Sequence, residues 1–287
     1  MVLPALVLIL VFSYVPMYGV LIAFQDYSVF KGMGDSPWVG LKHFRAFLAS
    51  PELPLVMRNT IVISGLKLAI GFPAPIVLAL MLNEVRSMAF KRVVQTVSYL
   101  PHFLSWVIVA NFAFAMLSVD NGSVNMLLEK LHLIDKPIPF LSMPEHFWAI
   151  IVATNVWKEI GFASIVYLAA IAGIDPSLYE AAAIDGASRF RMAFQITLPC
   201  ITPVVTVFFI LAIGNLLNAG FEDLLLFSAN PALRDVADVL DTYVYRMGIS
   251  LNRYSFATAV GLLKAVVSVG LLVLANYWAR RSGSSLW

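Results

Sequence analysis

Charge is what this chain of 287 residues has least of: Asp, Glu, Lys and Arg together make up 13% of it, against about 25% in soluble globular domains. So few polar side chains cannot solvate a water-soluble globule of this size. With 60% hydrophobic residues and a mean hydropathy of +0.85, the chain reads as an integral membrane protein. Net charge is only +2, and no Lys/Arg run is interleaved with aromatics, which excludes a nucleic-acid partner. Cysteine occurs once, as Cys200, so there is no internal disulfide, no metal cluster and no clue to redox compartment. The histidines are scattered without metal-ligand spacing and the serines stand singly. No nucleophile and base are legible as a pair, and the sequence offers no catalytic residue and no metal site. A G-x-x-x-x-G-K-[ST] loop is also missing, so ATP cannot be placed on this chain.

What is present is a recurrence of apolar runs of about 20 residues, the length that crosses a hydrocarbon core as helix. About six can be drawn: 2–24, 59–83, 93–118, 147–174, 203–221 and 256–277. They are continuously apolar without a two-residue alternation, which favours helices over a barrel. The first run has neither a basic lead-in nor a small-residue cleavage site, so it reads as retained rather than as a signal peptide. Arg86, Lys91, Arg92, Arg189, Arg191, Arg280 and Arg281 concentrate in short connections on one side, whereas the opposite loops are longer and hold most of the acids, such as Asp120, Glu129, Asp235, Asp238 and Asp241. That density bias places both termini in the cytoplasm. With no low-complexity linker and no internal repeat, residues 1–287 form a single transmembrane domain of all-α class. Pro73, Pro75 and Pro101 invite kinks, in helices that either line a pathway or merely pack bent.

One hydrophilic connection, 175–202, reads as a helical hairpin. Asp175 is a good N-cap with Pro176 at the first helical position, and Gly186 suits the left-handed residue that ends the helix. Ser188 can cap a second helix with Phe190 and Phe194 on one face, stopped or bent by Pro199 before the fifth run. Glu180-Ala181-Ala182, then Asp185-Gly186, then Ile196-Thr197-Leu198-Pro199 resembles the EAA loop of binding-protein-dependent ABC importer permeases. Val39-Gly40-Leu41-Lys42-His43-Phe44, Tyr99-Leu100-Pro101-His102-Phe103, Ser105-Trp106, Thr242-Tyr243-Val244-Tyr245-Arg246, Ala259-Val260-Gly261-Leu262, Ala275-Asn276 and the terminal Leu286-Trp287 are similar to the polysaccharide and oligosaccharide permease subgroup of the maltose-type superfamily. Relatives usually carry a basic cytoplasmic lead-in before the first span, so the natural protein is expected to be longer.

The resemblance implies a six-span, non-catalytic subunit of the bacterial inner membrane. It implies partnership with a second homologous permease, two ABC ATPase subunits that hold the ATP and Mg, and an extracytoplasmic solute-binding protein. Glu180, Ala181, Ala182, Asp185, Gly186, Leu198 and Pro199 would then couple to the ATPase, and the cargo would be an oligosaccharide or polysaccharide fragment, including acidic ones of alginate type.

Four charged groups lie in the apolar runs, Lys67, Lys158, Glu159 and Lys264, and each needs water, a partner or an interior position. Lys158 and Glu159 point about 100° apart on a helix and are poorly placed to pair with each other, so Glu159 is expected to meet Lys67 or Lys264. A saccharide pathway needs planar polar groups and aromatic faces. Asn215, Asn218, Phe221 and Glu222 fall near positions where maltose-type permeases place asparagines and an aromatic. Asn155, Trp157, Lys158, Glu159 and Tyr167 of the fourth run are taken to face the same cavity, although interhelical hydrogen bonding explains isolated asparagines equally well. Three span lysines fit a polyanionic cargo and equally fit three salt bridges. The alternative function is a self-contained secondary transporter driven by protons through Glu159 or His102.

Overall fold

The computed structural model describes residues 2–281; Leu286-Trp287 lie outside them. Apart from two isolated antiparallel bridges, Gln25 with Trp38 and Ser28 with Gly32, the regular structure among the described residues is helical. In chain order the elements are α1 (Leu3–Phe24), α2 (Lys42–Leu48), α3 (Leu53–Glu84), α4 (Met88–Phe103), α5 (Trp106–Leu117), α6 (Ser123–Lys130) and α7 (Pro144–Ala172). There follow α8 (Pro176–Ile184), α9 (Arg189–Gly214), α10 (Glu222–Phe227), α11 (Arg234–Ala237), α12 (Leu240–Tyr245) and α13 (Tyr254–Arg281). Helices α1, α3, α7, α9 and α13 are each long and apolar enough to cross a membrane, and α4 with α5 makes a sixth span if the pair is counted as one.

Three of the runs read from hydropathy differ from these helices in an instructive way. The third is not one helix: its axis turns by 106° between α4 and α5, where Pro101 sits in a tight turn and Ser105 starts a new helix by accepting from the Ile108 N–H. The fifth span begins fourteen residues before its apolar core, at Arg189, and ends at Gly214. There is therefore no separate second hairpin helix, and Pro199 neither stops nor splits α9. The segment from Asn215 to Phe221, taken for the end of that span, is a turn leading into the short helix α10. The second span is longer than its hydropathic stretch, starting at Leu53 so that Arg58 lies within it.

Three helices each accommodate one proline by a common device. A proline removes an N–H and its ring collides with the carbonyl four residues back. Wide π turns at Leu10–Tyr14, Lys67–Gly71 and Ala193–Thr197 each end two residues before a proline, namely Pro16, Pro73 and Pro199. The carbonyls at risk, those of Phe12, Ala69 and Gln195, fall inside the widened turns, where they can tilt clear of the ring.

Packing brings α3, α7 and α9 together around Ile76, Ala79, Tyr167, Ile171 and Ile201 at the end that bears the 175–188 hairpin. At the other end Ile63, Ala110, Phe147, Ile151, Leu224 and Phe227 join α3, α5, α7 and α10, while Phe47, Val56, Tyr243, Phe256 and Val260 join α2, α3, α12 and α13. Helix α4 lies directly on the backbone of α7. A Cβ on Gly161 would stand 1.9 Å from the Ser98 carbonyl oxygen, so only glycine allows this crossing. Within α1 only Ala23 is buried by the rest of the chain, and the helix meets α13 through Tyr18–Phe24.

Candidate functional site

Two features stand apart from this packing. The first is the hairpin between α7 and α9. Asp175 caps α8 by accepting from the Ser177 N–H at 2.9 Å, and that hydrogen bond holds its carboxyl below the usual carboxylate range. Gly186 takes φ +74° two residues beyond the helix, just after the C-cap Asp185, and Ser188 caps α9 through the Arg191 N–H. Two contacts fix the hairpin's attitude: the Tyr179 hydroxyl meets the Thr197 hydroxyl at 2.9 Å, and Arg189 reaches Glu84 at the end of α3 at 3.3 Å. Glu180, Ala181, Asp185, Gly186 and Pro199 are exposed, whereas Ala182 and Leu198 are half-buried. Large apolar side chains stand out with them: Ile184 is 87% and Phe190 75% exposed, and the Phe190 and Phe194 rings lie 4.7 Å apart. This much greasy surface beside a carboxylate suits a partner's groove better than water.

The second feature is a cavity of about 490 Å³ between α3, α5, α7 and the segment that follows α9. It owes its existence to irregular backbone. Lys67 comes from the π turn of α3, Trp106 from the first turn of α5 just past the bend, and Asn155 and Glu159 from one face of α7. Asn218 and Phe221 come from the turn between α9 and α10, and Glu222 is the first residue of α10. Planar amides, carboxylates and two aromatic faces around one space make up the chemistry that matches sugar hydroxyls and CH surfaces.

Of the pathway residues read from the sequence, Asn155, Glu159, Asn218, Phe221 and Glu222 do converge here. Four do not. Trp157 stacks on Phe112 with centroids 5.9 Å apart and lines a separate apolar hollow, because residues two apart on a helix point roughly 200° from each other. Tyr167 is buried in the α3–α7–α9 core. Lys158 is buried, donates to the His102 carbonyl at 2.7 Å and sits 5.5 Å from the Trp106 ring centre. Asn215 faces a smaller neighbouring hollow, its side-chain oxygen accepting from Asn218 at 2.9 Å.

The expected ion pairs are also reassigned. Lys67 pairs with Asp223 at 2.5 Å and Lys264 with Asp241, so neither meets Glu159. Glu159 instead contacts His102 at 2.8 Å and Lys158 at 3.5 Å; the long lysine stem bends across the angle that separates the two Cβ vectors. His102 is stacked on Phe162, centroids 3.8 Å apart. Trp106, Lys67 and Asp223 were missed as cavity residues. A Ser-Trp start just after Pro101 is the available signal for the first and a charge inside an apolar run the signal for Lys67, while nothing local marks Asp223.

Residues 71–283 match the family described as binding-protein-dependent transport system inner membrane component. Over 283 residues the chain is 47% identical to the polygalacturonan/rhamnogalacturonan transport system permease protein YteP of Bacillus subtilis (strain 168), covering 99% of this chain and 87% of that protein. Protein LplB of the same organism is 47% identical over 278 residues, 97% of this chain and 86% of LplB. Among solved structures, the fold is similar to a chain in the crystal structure of a bacterial ABC transporter involved in the import of the acidic polysaccharide alginate. There the TM-score is 0.90 and the identity 44%, with 98% of this chain and 94% of that one covered. A second such structure, in complex with alginate pentasaccharide-bound periplasmic protein, gives a TM-score of 0.90 at 43% identity over 99% of this chain and 94% of that one.

Proposed function

Since the chain belongs to the binding-protein-dependent transport system inner membrane component family, we propose that it forms one half of the translocation pathway of an ATP-driven oligosaccharide importer, coupled to its motor through the 175–202 hairpin. It is a permease of a sugar ABC importer, and this sets aside the proton-driven carrier. The other half is a second, homologous permease. Two ABC ATPases bind ATP and Mg on the cytoplasmic side, and an extracytoplasmic binding protein delivers the sugar. The chain itself performs no bond chemistry, and both its termini are cytoplasmic.

The observation that carries the coupling role is the exposed Ile184 and Phe190 beside Glu180, on a hairpin pinned to α3 and α9. A groove on the ATPase accepts α8, with Glu180 facing a basic group and Gly186 allowing the turn. The cavity takes the saccharide. An acidic cargo is supported by what the similar transporters carry, not by the span lysines, each of which is already engaged within the chain.

The test is the purified complex in mild detergent with variants Glu180→Ala and Gly186→Val. The hairpin position at φ +74° strains any β-branched side chain. Both variants should insert normally and lose either the ATPase subunits or the stimulation of ATP hydrolysis by loaded binding protein. Wild-type stimulation in both would overturn the coupling role.

A further inference from the structure

We infer that Lys67 and Asp223 are a positioning pair: they fasten the cavity's sugar-facing turn to α3, the helix whose far end meets the coupling hairpin. The inference rests on the reading of the cavity as the saccharide's path. Lys67 Nζ donates to Asp223 Oδ2 at 2.5 Å and to the Ala219 carbonyl at 2.6 Å. It therefore grips the turn at two points, one on each side of Phe221 and Glu222. Asp223 is buried and Lys67 nearly so, and an ion pair removed from water keeps one geometry because either charge alone would be strongly disfavoured there.

Gly220 shows how closely the turn is drawn in. It adopts φ +109°, and a Cβ there would lie 2.2 Å from Asp223 Oδ1 and 2.9 Å from Lys67 Nζ. The backbone thus passes over the pair with no room for a side chain, and Asn218, Phe221 and Glu222 are presented to the cavity from this one clamp.

The other partner in the clamp sits at a hinge. Lys67 is the first residue of the π turn that precedes Pro73, the point where the two halves of α3 can change their relative angle. The half beyond Pro73 packs on α7 and ends at Glu84, which pairs with Arg189, where the hairpin passes into α9. One helix therefore joins the hairpin at one end to the sugar-facing turn at its hinge. A movement of the hairpin carried along α3 shifts Asn218, Phe221 and Glu222 as a unit as long as the Lys67–Asp223 clamp is closed.

The experiment uses the whole importer in proteoliposomes, with its binding protein, ATP inside, and a uronate oligosaccharide as the probe. It measures saccharide taken up and ATP hydrolysed in the same vesicles. Lys67→Met should lower uptake per ATP by roughly tenfold or more, with the subunits still co-purifying as one complex. The exchanged pair Lys67→Asp with Asp223→Lys should restore much of the ratio. Uptake and hydrolysis falling together in Lys67→Met, without rescue, would mean a purely structural bridge and overturn the inference, as would an unchanged ratio. Phe221→Ala and Asn218→Ala run in parallel separate the two readings. If they lower uptake per ATP while Lys67→Met does not, the cavity stands and the clamp fails; if none of the three moves it, the cavity is not the path and both fail.

Discussion

Asn59 offers a sharp test of the packing that holds the turn segments in place. It is wholly buried in α3, and its side-chain NH₂ donates to the carbonyls of Asp235 at 3.1 Å and Asp238 at 3.0 Å. Asn59→Ala removes both donors at once, with unequal consequences. The Asp235 carbonyl still has the Arg58 guanidinium within reach at 2.7 Å, although that guanidinium loses the Asn59 Oδ1 that accepts from it at 3.0 and 3.2 Å. The Asp238 carbonyl, in a residue only 7% exposed, loses the side-chain donor described for it. A stranded buried carbonyl costs about 1–3 kcal/mol and the lost hydrogen bond about 1 kcal/mol more, so the total is about 2–4 kcal/mol. For a chain of this size that lowers the thermal midpoint by roughly 3–7 °C. The assay is thermal unfolding of the detergent-solubilised complex followed by size-exclusion chromatography. Asn111→Ala is the control: its side chain also donates to a carbonyl of its own chain, that of Val107, but it is exposed and should cost less than about 0.5 kcal/mol. Equal midpoints for the two variants would refute the assignment of the loss to a stranded buried carbonyl.

Gly161→Ala should destabilise the complex, because the new Cβ meets Ser98 backbone at 1.9 Å and α4 must retreat. A loss of about 1–3 kcal/mol is expected, whereas Gly65→Ala, with open space around it, should be neutral in the same melt. On pH, the Asp26 carboxyl is held below its ordinary value by hydrogen bonding to Lys42, with His43 adding to the effect. A lowered folded-state value stabilises above the unfolded carboxylate value of about 3.9, and that contribution is lost as pH falls through the folded value. The pair is partly exposed and so screened, which makes its share small. In a thermal-midpoint series, Asp26→Asn should be less acid-sensitive than wild type below about pH 4 and parallel to it between about pH 5 and 7; an identical acid limb would contradict the pairing.

How much of this was legible in the sequence follows from the range of each signal. The hairpin's caps are local rules, and Asp175-Pro176 and Gly186 behave as those rules say. Hydropathy located the spans because it reports composition, yet composition carries no direction: the 106° turn after Pro101 and the end of α9 at Gly214 leave the apolar run unbroken. Once the segment after Gly214 is a turn and not a helix end, Asp223 comes back to Lys67, and Asp241, counted among loop acids, comes to Lys264. Those partners are 156 and 23 residues away, so no local pattern could assign them. The placement of Trp157 was within reach of helical geometry, since it cannot share a face with Asn155.

Uptake in proteoliposomes separates a subunit of an ATP-driven importer from a self-contained carrier. The chain alone, and the chain assembled with a sister permease, two ATPases and binding protein, are each given a uronate oligosaccharide outside, with ATP inside or a pH gradient imposed. The account predicts uptake by the full assembly only, dependent on ATP and on the binding protein and indifferent to the pH gradient. Uptake by the chain alone, driven by the gradient in the absence of ATP, would contradict it.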